Sequence, residues 1–151
     1  MNLSSLHQLL PWVEAGKTRE LEDFFNQSVQ LRVIGATIDL SDLTHPVVMI
    51  KKIEEMHRGG IGGMAVNGGI ISMLVDLAMG LLGLPYYKDG LTATQHLSIH
   101  FVKPLQATAI RLEAQETHVI HNRVFGHIKV MNEKDEVCAY ASGVLVKAIR
   151  K

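Results

Sequence analysis

The sequence is poor in cysteine, and it carries no excess charge. It contains one cysteine, Cys138, in 151 residues, which excludes an intramolecular disulfide and a cysteine-rich zinc site and is typical of a reducing compartment. Lysine plus arginine balances aspartate plus glutamate at 15 each, so no electrostatic argument favours a nucleic-acid partner. Composition therefore predicts a soluble, cytoplasmic, globular protein.

Long apolar runs are also scarce, and the one that could span a bilayer contains an acid. Residues 68–85 are apolar enough, but Asp76 stands near their centre, where a carboxylate costs roughly 2.5–3.5 kcal/mol on insertion scales. The N-terminus lacks a basic segment and contains Pro11 and Glu14, so it does not resemble a secretory signal. We therefore predict neither a membrane span nor a membrane partner.

The stretch from Met56 to Pro85 has a pattern around which the rest of the chain can be arranged. An apolar run of helical length contains Asp76, the one charged residue between Arg58 and Lys88. Such a helix is expected to be enclosed by the protein, and a carboxylate inside it needs a partner or a function. The free N–H groups at the helix start favour an anion or a polarised carbonyl. Six glycines lie just upstream or at the start: Gly59, Gly60, Gly62, Gly63, Gly68 and Gly69.

The remaining chain divides into helices before this stretch and strands around it. Two helices are expected in residues 3–27, separated at Gly16, and we interpret them as a lid or flank. The order predicts an α+β fold in which an antiparallel sheet wraps around a long central helix. We expect an N-terminal helical segment at 1–28 and the main domain at 29–151. Alternating patterns predict six strands, at 31–40, 46–53, 91–103, 108–119, 124–131 and 137–147.

The strand at 91–103 carries polar residues in strict alternation. This alternation places Thr94 on the face of His96 and His100, opposite Leu97. The two histidines would lie about 13 Å apart along the strand, too far to bind one ion directly. We therefore predict no metal site.

Three short motifs stand in a characteristic order. Asn67-Gly68-Gly69 opens the central helix, Asp76 follows nine residues after Asn67, and Phe101-Val102-Lys103-Pro104 ends a long strand. These motifs resemble those of the hotdog-fold acyl-CoA thioesterases, in the branch related to phenylacetate-pathway thioesterases, which usually has His-Gly-Gly at the first position. The resemblance covers roughly residues 30–148. It implies a hotdog fold and hydrolysis of acyl-CoA without a cofactor.

The same resemblance implies catalytic roles for four residues. Asp76 would be the general base or nucleophile, and the N–H of Gly68 would hold the thioester carbonyl oxygen. Thr94 stands where relatives have a water-positioning Ser or Thr. Asn67 is expected either to contact the substrate or to act only as the helix N-cap.

Other residues are expected to bind the acyl-CoA and to bring two subunits together. In this family the site is built across a dimer, so we predict a homodimer or a dimer of dimers. Small residues along one helical face would allow close approach, and Ser72 is expected to hydrogen-bond Asp76. Basic side chains would meet the CoA phosphates. The predicted substrate-binding residues are Gly69, Ser72, Met73, Arg58, Lys103 and Arg123, with Met64 and Met79 also lining the acyl pocket.

Two departures from the family pattern leave other functions open. Asn67 replaces the usual His, and an upstream Asn or Gln that holds the thioester or water in relatives falls at Ile61. One alternative is an acyl-thioester hydratase or dehydratase, for which His57 is the candidate histidine ahead of the helix. The other is a non-catalytic protein that binds acyl-CoA or forms a purely structural dimer.

Overall fold

The computed structural model describes residues 3–60, 63–89 and 92–147. Its α-helices are α1 (Leu3–Glu14), α2 (Thr18–Asn26), α3 (Val29–Val33) and α4 (Gly68–Leu81). Short 3-10 helices lie at Glu55–His57 and Leu84–Asp89. The strands are β1 (Ala36–Asp39), β2 (Val47–Ile50), β3 (Thr92–Phe101), β4 (Ile110–Ile120), β5 (Arg123–Asn132) and β6 (Val137–Lys147).

The six strands form one antiparallel sheet around α4. Their order is β1-β2-β4-β5-β6-β3, and α4 packs against β2 to β6. Leu74, Val75 and Ala78 of α4 are fully buried in this core. The α+β class, with an antiparallel sheet wrapped around a long central helix and extra N-terminal helices, is therefore confirmed.

The predicted strand at 31–40 is wrong in its first part, because the chain is helical there. The Ser28 side chain caps α3 by accepting a hydrogen bond from the N–H of Leu31 at 3.3 Å. Gly35 then adopts a φ of +60° and turns the chain into β1. A local cap and a turn thus override an alternating pattern, and α3 falls in the segment assigned to the main domain.

Side chains of α2 cover the β1 edge of the sheet. The Asn26 amide donates to the carbonyl of Ile38 at 3.0 Å and accepts from its N–H at 2.8 Å. The Glu22 carboxylate accepts from the N–H of Leu40 at 3.0 Å. These bonds occupy the backbone groups that a further strand would use.

A β-bulge in β3 changes the face on which Thr94 lies. Between Thr94 and His96 the pairing with β6 shifts by one residue, so Gln95 is extra. Thr94 pairs with Leu145, which is fully buried in the core, and opposite residues in an antiparallel pair share a face. Thr94 therefore lies on the helix-facing side with Leu97, and the strict alternation predicted from the sequence is wrong.

The helical stretch Gly68–Tyr86 is long and apolar enough to cross a membrane by length and composition, and half of it is buried inside the fold. The core helix of a globular domain has the same properties. Its packing against five strands gives this stretch the position of a core helix.

Candidate active site

The start of α4 is fixed by the side chain before it. Asn67 is the N-cap, and its Oδ1 accepts a hydrogen bond from the N–H of Gly69 at 2.7 Å. Its main-chain N–H donates to the carbonyl of His57 at 2.8 Å. Gly59 packs so closely that a Cβ there would lie 2.5 Å from Asn67 Nδ2. Asn67 is thus held in place as a cap.

The N–H of Gly68 has no acceptor within the part of the chain that the structure describes. Gly68 is the first residue of α4, a position for which the helix offers no carbonyl, and the Asn67 oxygen is already bonded to Gly69. A cavity of about 350 Å³ opens there, lined in part by Gly68, Phe101 and Lys103. The positive end of the helix dipole favours a carbonyl oxygen that gains negative charge.

Asp76 lies two turns further along α4, in a separate cavity of about 220 Å³. Its side chain is exposed in the single chain, so the expected enclosure of this carboxylate is not found. The sheet wraps the other side of α4 and leaves a face with Gly69 and Asp76 open.

Thr94 of β3 lines the same cavity as Asp76. The bulge described above brings it there by returning Thr94 to the helix-facing side. The other walls are mainly apolar, and they include Leu77, Leu81, Leu84, Leu145 and Phe25. A carboxylate and a hydroxyl therefore lie in a cleft that also has leucine and phenylalanine walls, which suits a reaction at one end of an acyl chain.

Ser72 and the methionines do not have the contacts expected from the sequence. The Ser72 hydroxyl donates to the carbonyl of Gly68 at 2.8 Å, one turn back along the helix, so the expected bond to Asp76 is wrong. Met79 is fully buried and Met73 is partly buried against the core, whereas Met64 is 65% exposed. None of the three lines the Gly68 cavity or the Asp76 cavity.

The three candidate cations occupy different surroundings. Lys103 lines the Gly68 cavity and forms an ion pair with Glu136, with Nζ and Oε2 3.0 Å apart. Arg123 donates to the side chain of Gln95 at 3.1 Å. The Arg58 guanidinium donates to two loop carbonyls at 2.8 and 3.3 Å. Arg58 therefore stabilises the loop before α4, while Lys103 is the cation that lies beside a candidate site.

Two other reactive side chains, those of His57 and Cys138, are buried. His57 is 1% exposed; its Nδ1 accepts from the N–H of Glu54 at 2.8 Å, and its Nε2 lies 2.9 Å from the carbonyl of Ile34. Nε2 must then carry the proton, so neither nitrogen is free for the acid–base role that a hydratase needs. Burial raises the pKa of the Cys138 thiol, which disfavours a nucleophilic thiolate.

The described residues contain no cluster of three His, Cys, Asp or Glu that could hold a metal ion. Ile61 lies outside the described ranges. Nothing in the local sequence indicated a place for Phe25 beside Asp76. That position depends on how α2 packs across the sheet edge, which is a tertiary feature.

The sequence also matches a known protein family. The sequence profile described as the thioesterase superfamily matches residues 63–139, just over half of the chain, including Asn67, Asp76 and Thr94. No match to a curated protein sequence reached significance.

Similar solved structures share the fold at low sequence identity. The E. coli PaaI protein from the phenylacetic acid degradation operon superposes with a TM-score of 0.73 at 17% identity, over 89% of this chain and 93% of that one. A Haemophilus influenzae thioesterase gives 0.75 at 13% identity, over 87% and 90%. A Shewanella oneidensis protein related to the thioesterase superfamily gives 0.75 at 13%, over 90% and 98%. These likenesses confirm the hotdog fold.

Proposed function

Because the chain belongs to the thioesterase superfamily, we propose that it hydrolyses acyl-CoA thioesters to the free acid and CoA. The observation that carries the proposal is the cavity on the open face of α4, where Asp76 and Thr94 meet apolar walls. The carboxylate supplies a base or nucleophile, the hydroxyl supplies a hydrogen bond to water, and the apolar walls accept an acyl group.

In the proposed reaction Asp76 takes a proton from a water that Thr94 holds, and the water oxygen attacks the thioester carbonyl carbon. The N–H of Gly68 stabilises the negative charge that develops on the carbonyl oxygen. The carbon–sulfur bond then breaks, and the CoA thiolate leaves and is protonated. In the covalent variant, the Asp76 carboxylate attacks first and water opens the resulting anhydride.

One chain does not bring the acid and the N–H donor together. Asp76 lies eight residues beyond Gly68, which is roughly 12 Å along a helix axis, and each residue lines its own cavity. We infer that a second copy of the chain places its Gly68 near Asp76, which gives a homodimer or a dimer of dimers. Light scattering on the purified protein measures this state directly.

The two edges of the sheet support pairing through β3. Side chains of α2 occupy the β1 edge, whereas Phe101 and Val102 at the end of β3 are 56% and 60% exposed. An edge strand with unpaired backbone groups and exposed apolar residues favours association with another strand. The open face of α4 would lie toward the same partner.

The CoA end of the substrate is assigned to the Gly68 side of the site. Lys103 lies at that cavity, and an ammonium group there can meet a phosphate if it exchanges Glu136 for the substrate. No separate cofactor is proposed, because CoA belongs to the substrate. A cytoplasmic location is proposed on the basis of the single cysteine.

The test is release of free thiol from a panel of short, medium, long and aryl acyl-CoAs. We expect wild-type protein to release CoA and Asp76→Asn to lose about 10²–10⁴-fold in kcat, the usual contribution of a general base. Asp23→Asn is the matched control, since Asp23 is an exposed helix carboxylate that lines neither cavity. Near-wild-type turnover by Asp76→Asn would contradict the mechanism.

Two further results would favour the alternatives. Tight binding of acyl-CoA with no thiol released from any substrate would indicate a binding protein. Conversion of an enoyl-CoA without release of CoA would indicate a hydratase, although the hydrogen bonds of His57 oppose that outcome.

A further inference from the structure

One residue that lines the Asp76 cavity comes from outside the central helix and its sheet. Phe25 of α2 lines it together with Leu81, Leu84 and Leu145. Leu81 is the fifth residue after Asp76 on α4, roughly 7.5 Å further along the axis. An acyl group with its carbonyl at Asp76 would therefore extend along this apolar wall toward Phe25.

Contacts of Phe25 and of the residues on each side of it hold this part of α2 in place. Its ring meets that of Phe24 edge-on, with centroids 5.6 Å apart at 86°, and Phe24 in turn meets Trp12 at 6.1 Å. The next residue, Asn26, forms both hydrogen bonds to Ile38 of β1. These contacts anchor α2 on each side of Phe25 and position its ring at the cavity.

The size of the cavity limits what can enter it. Its volume is about 220 Å³, and an apolar protein cavity of about 150 Å³ accommodates a benzene-sized group. A compact acyl group fits this space, whereas a long chain meets the Phe25 ring. We propose that Phe25 is a specificity-determining residue that sets the upper length of the acyl group, so that the N-terminal helices select the substrate. This inference rests on the proposed function for its substrate class.

The experiment measures kcat/KM for butanoyl-, hexanoyl-, octanoyl- and decanoyl-CoA with the wild type, with variants at Phe25 and with a control variant. We expect the wild type to prefer the shorter chains and Phe25→Ala to raise the decanoyl-to-hexanoyl ratio by about tenfold or more, since each methylene in an apolar pocket is worth about tenfold. Phe25→Trp should lower the same ratio. If Phe25→Ala does not fold, Phe25→Leu makes the same change on a smaller scale.

Phe125→Ala is the matched control, because Phe125 is a partly buried aromatic on β5 that stacks on His118 and does not line the cavity. It removes a ring of the same size and should leave the chain-length ratio at the wild-type value. An unmoved ratio in both Phe25 variants, or an equal shift in Phe125→Ala, overturns the inference while the proposed function stands.

A wild-type protein that releases no thiol would distinguish the proposed hydrolysis from the proposed role of Phe25. If no acyl-CoA releases thiol, the proposed hydrolysis fails, and the affinities of alkyl-CoA thioethers of the same four lengths decide the role of Phe25. Tighter binding of the decyl thioether by Phe25→Ala than by wild type supports the size limit. Identical length profiles overturn it.

Discussion

The two cavities along α4 divide the chemistry of the proposed site between them. The cavity at the helix start has the N–H of Gly68, the positive end of the helix dipole and Lys103, but no acid among its lining residues. The cavity two turns later has Asp76 and Thr94 within apolar walls. Each holds what the other lacks. In the proposed two-fold dimer, each of the two sites would combine the Gly68 cavity of one chain with the Asp76 cavity of the other. A single chain would then contain both groups and still have no complete site.

The first prediction concerns removal of the N–H donor from the helix-start cavity while the Asp76 cavity stays intact. Gly68→Pro removes the N–H and adds a ring, at the helix position where proline is best tolerated. Asn67 has φ −61° and ψ 133°, which a following proline allows. A Cβ at Gly68 meets nothing closer than the Phe101 ring at 3.6 Å. We expect a folded protein whose kcat is reduced by about 10²–10³, the usual loss for one oxyanion donor.

Gly68→Ala is the matched control, because it adds the Cβ and keeps the N–H. It should retain activity within a few-fold of wild type in the same thiol-release measurement. Equal losses in the alanine and proline variants would mean that crowding beside Phe101, and not the missing donor, is responsible.

The second prediction tests whether Asp76 of one chain and Gly68 of another form one site. Asp76→Asn and Gly68→Pro proteins are each expected to be nearly inactive, but a mixed dimer contains one site with an intact Asp76 and an intact Gly68. After the chains are mixed, partly denatured and reassembled, random pairing should restore about a quarter of wild-type activity. Each variant reassembled alone is the control.

Failure to regain activity would place the acid and the donor in one chain or in no common site. Native mass spectrometry of tagged subunits must show that mixed dimers formed, so that a negative result counts against the shared site and not against subunit exchange.

The features that the sequence predicted correctly are those encoded by local spacing. An Asn-Gly-Gly step, nine residues to an acid and an apolar run of helical length specify α4 and its cap almost by themselves. The late strands follow from alternation and from the turn at Asn132–Asp135. Such signals need no knowledge of distant contacts, which explains why the fold could be predicted.

The errors arose where tertiary contacts or a single inserted residue decide the outcome. Asp76 was expected to be enclosed, but hydropathy does not show that the sheet covers only one side of α4. The bulge at Gln95 shifts Thr94 to the other face without any distinctive residue type. Phe25 reaches the cavity because Asn26 anchors α2 to β1, a contact across twelve residues that no short pattern encodes.

The smallest expected effect concerns Asn67, which borders the Gly68 N–H and was open to two interpretations. As the N-cap it accepts from the N–H of Gly69 at 2.7 Å, so Asn67→Ala should lower the free energy of unfolding by about 1 kcal/mol, or about 2–4 °C in Tm. Activity should fall less than in Gly68→Pro, because the donor N–H remains. Asn67→Asp, which keeps a capping oxygen, should recover the stability. A hundredfold loss of kcat in Asn67→Ala at unchanged Tm would instead assign the amide to the substrate and give the helix-start cavity a second polar contact.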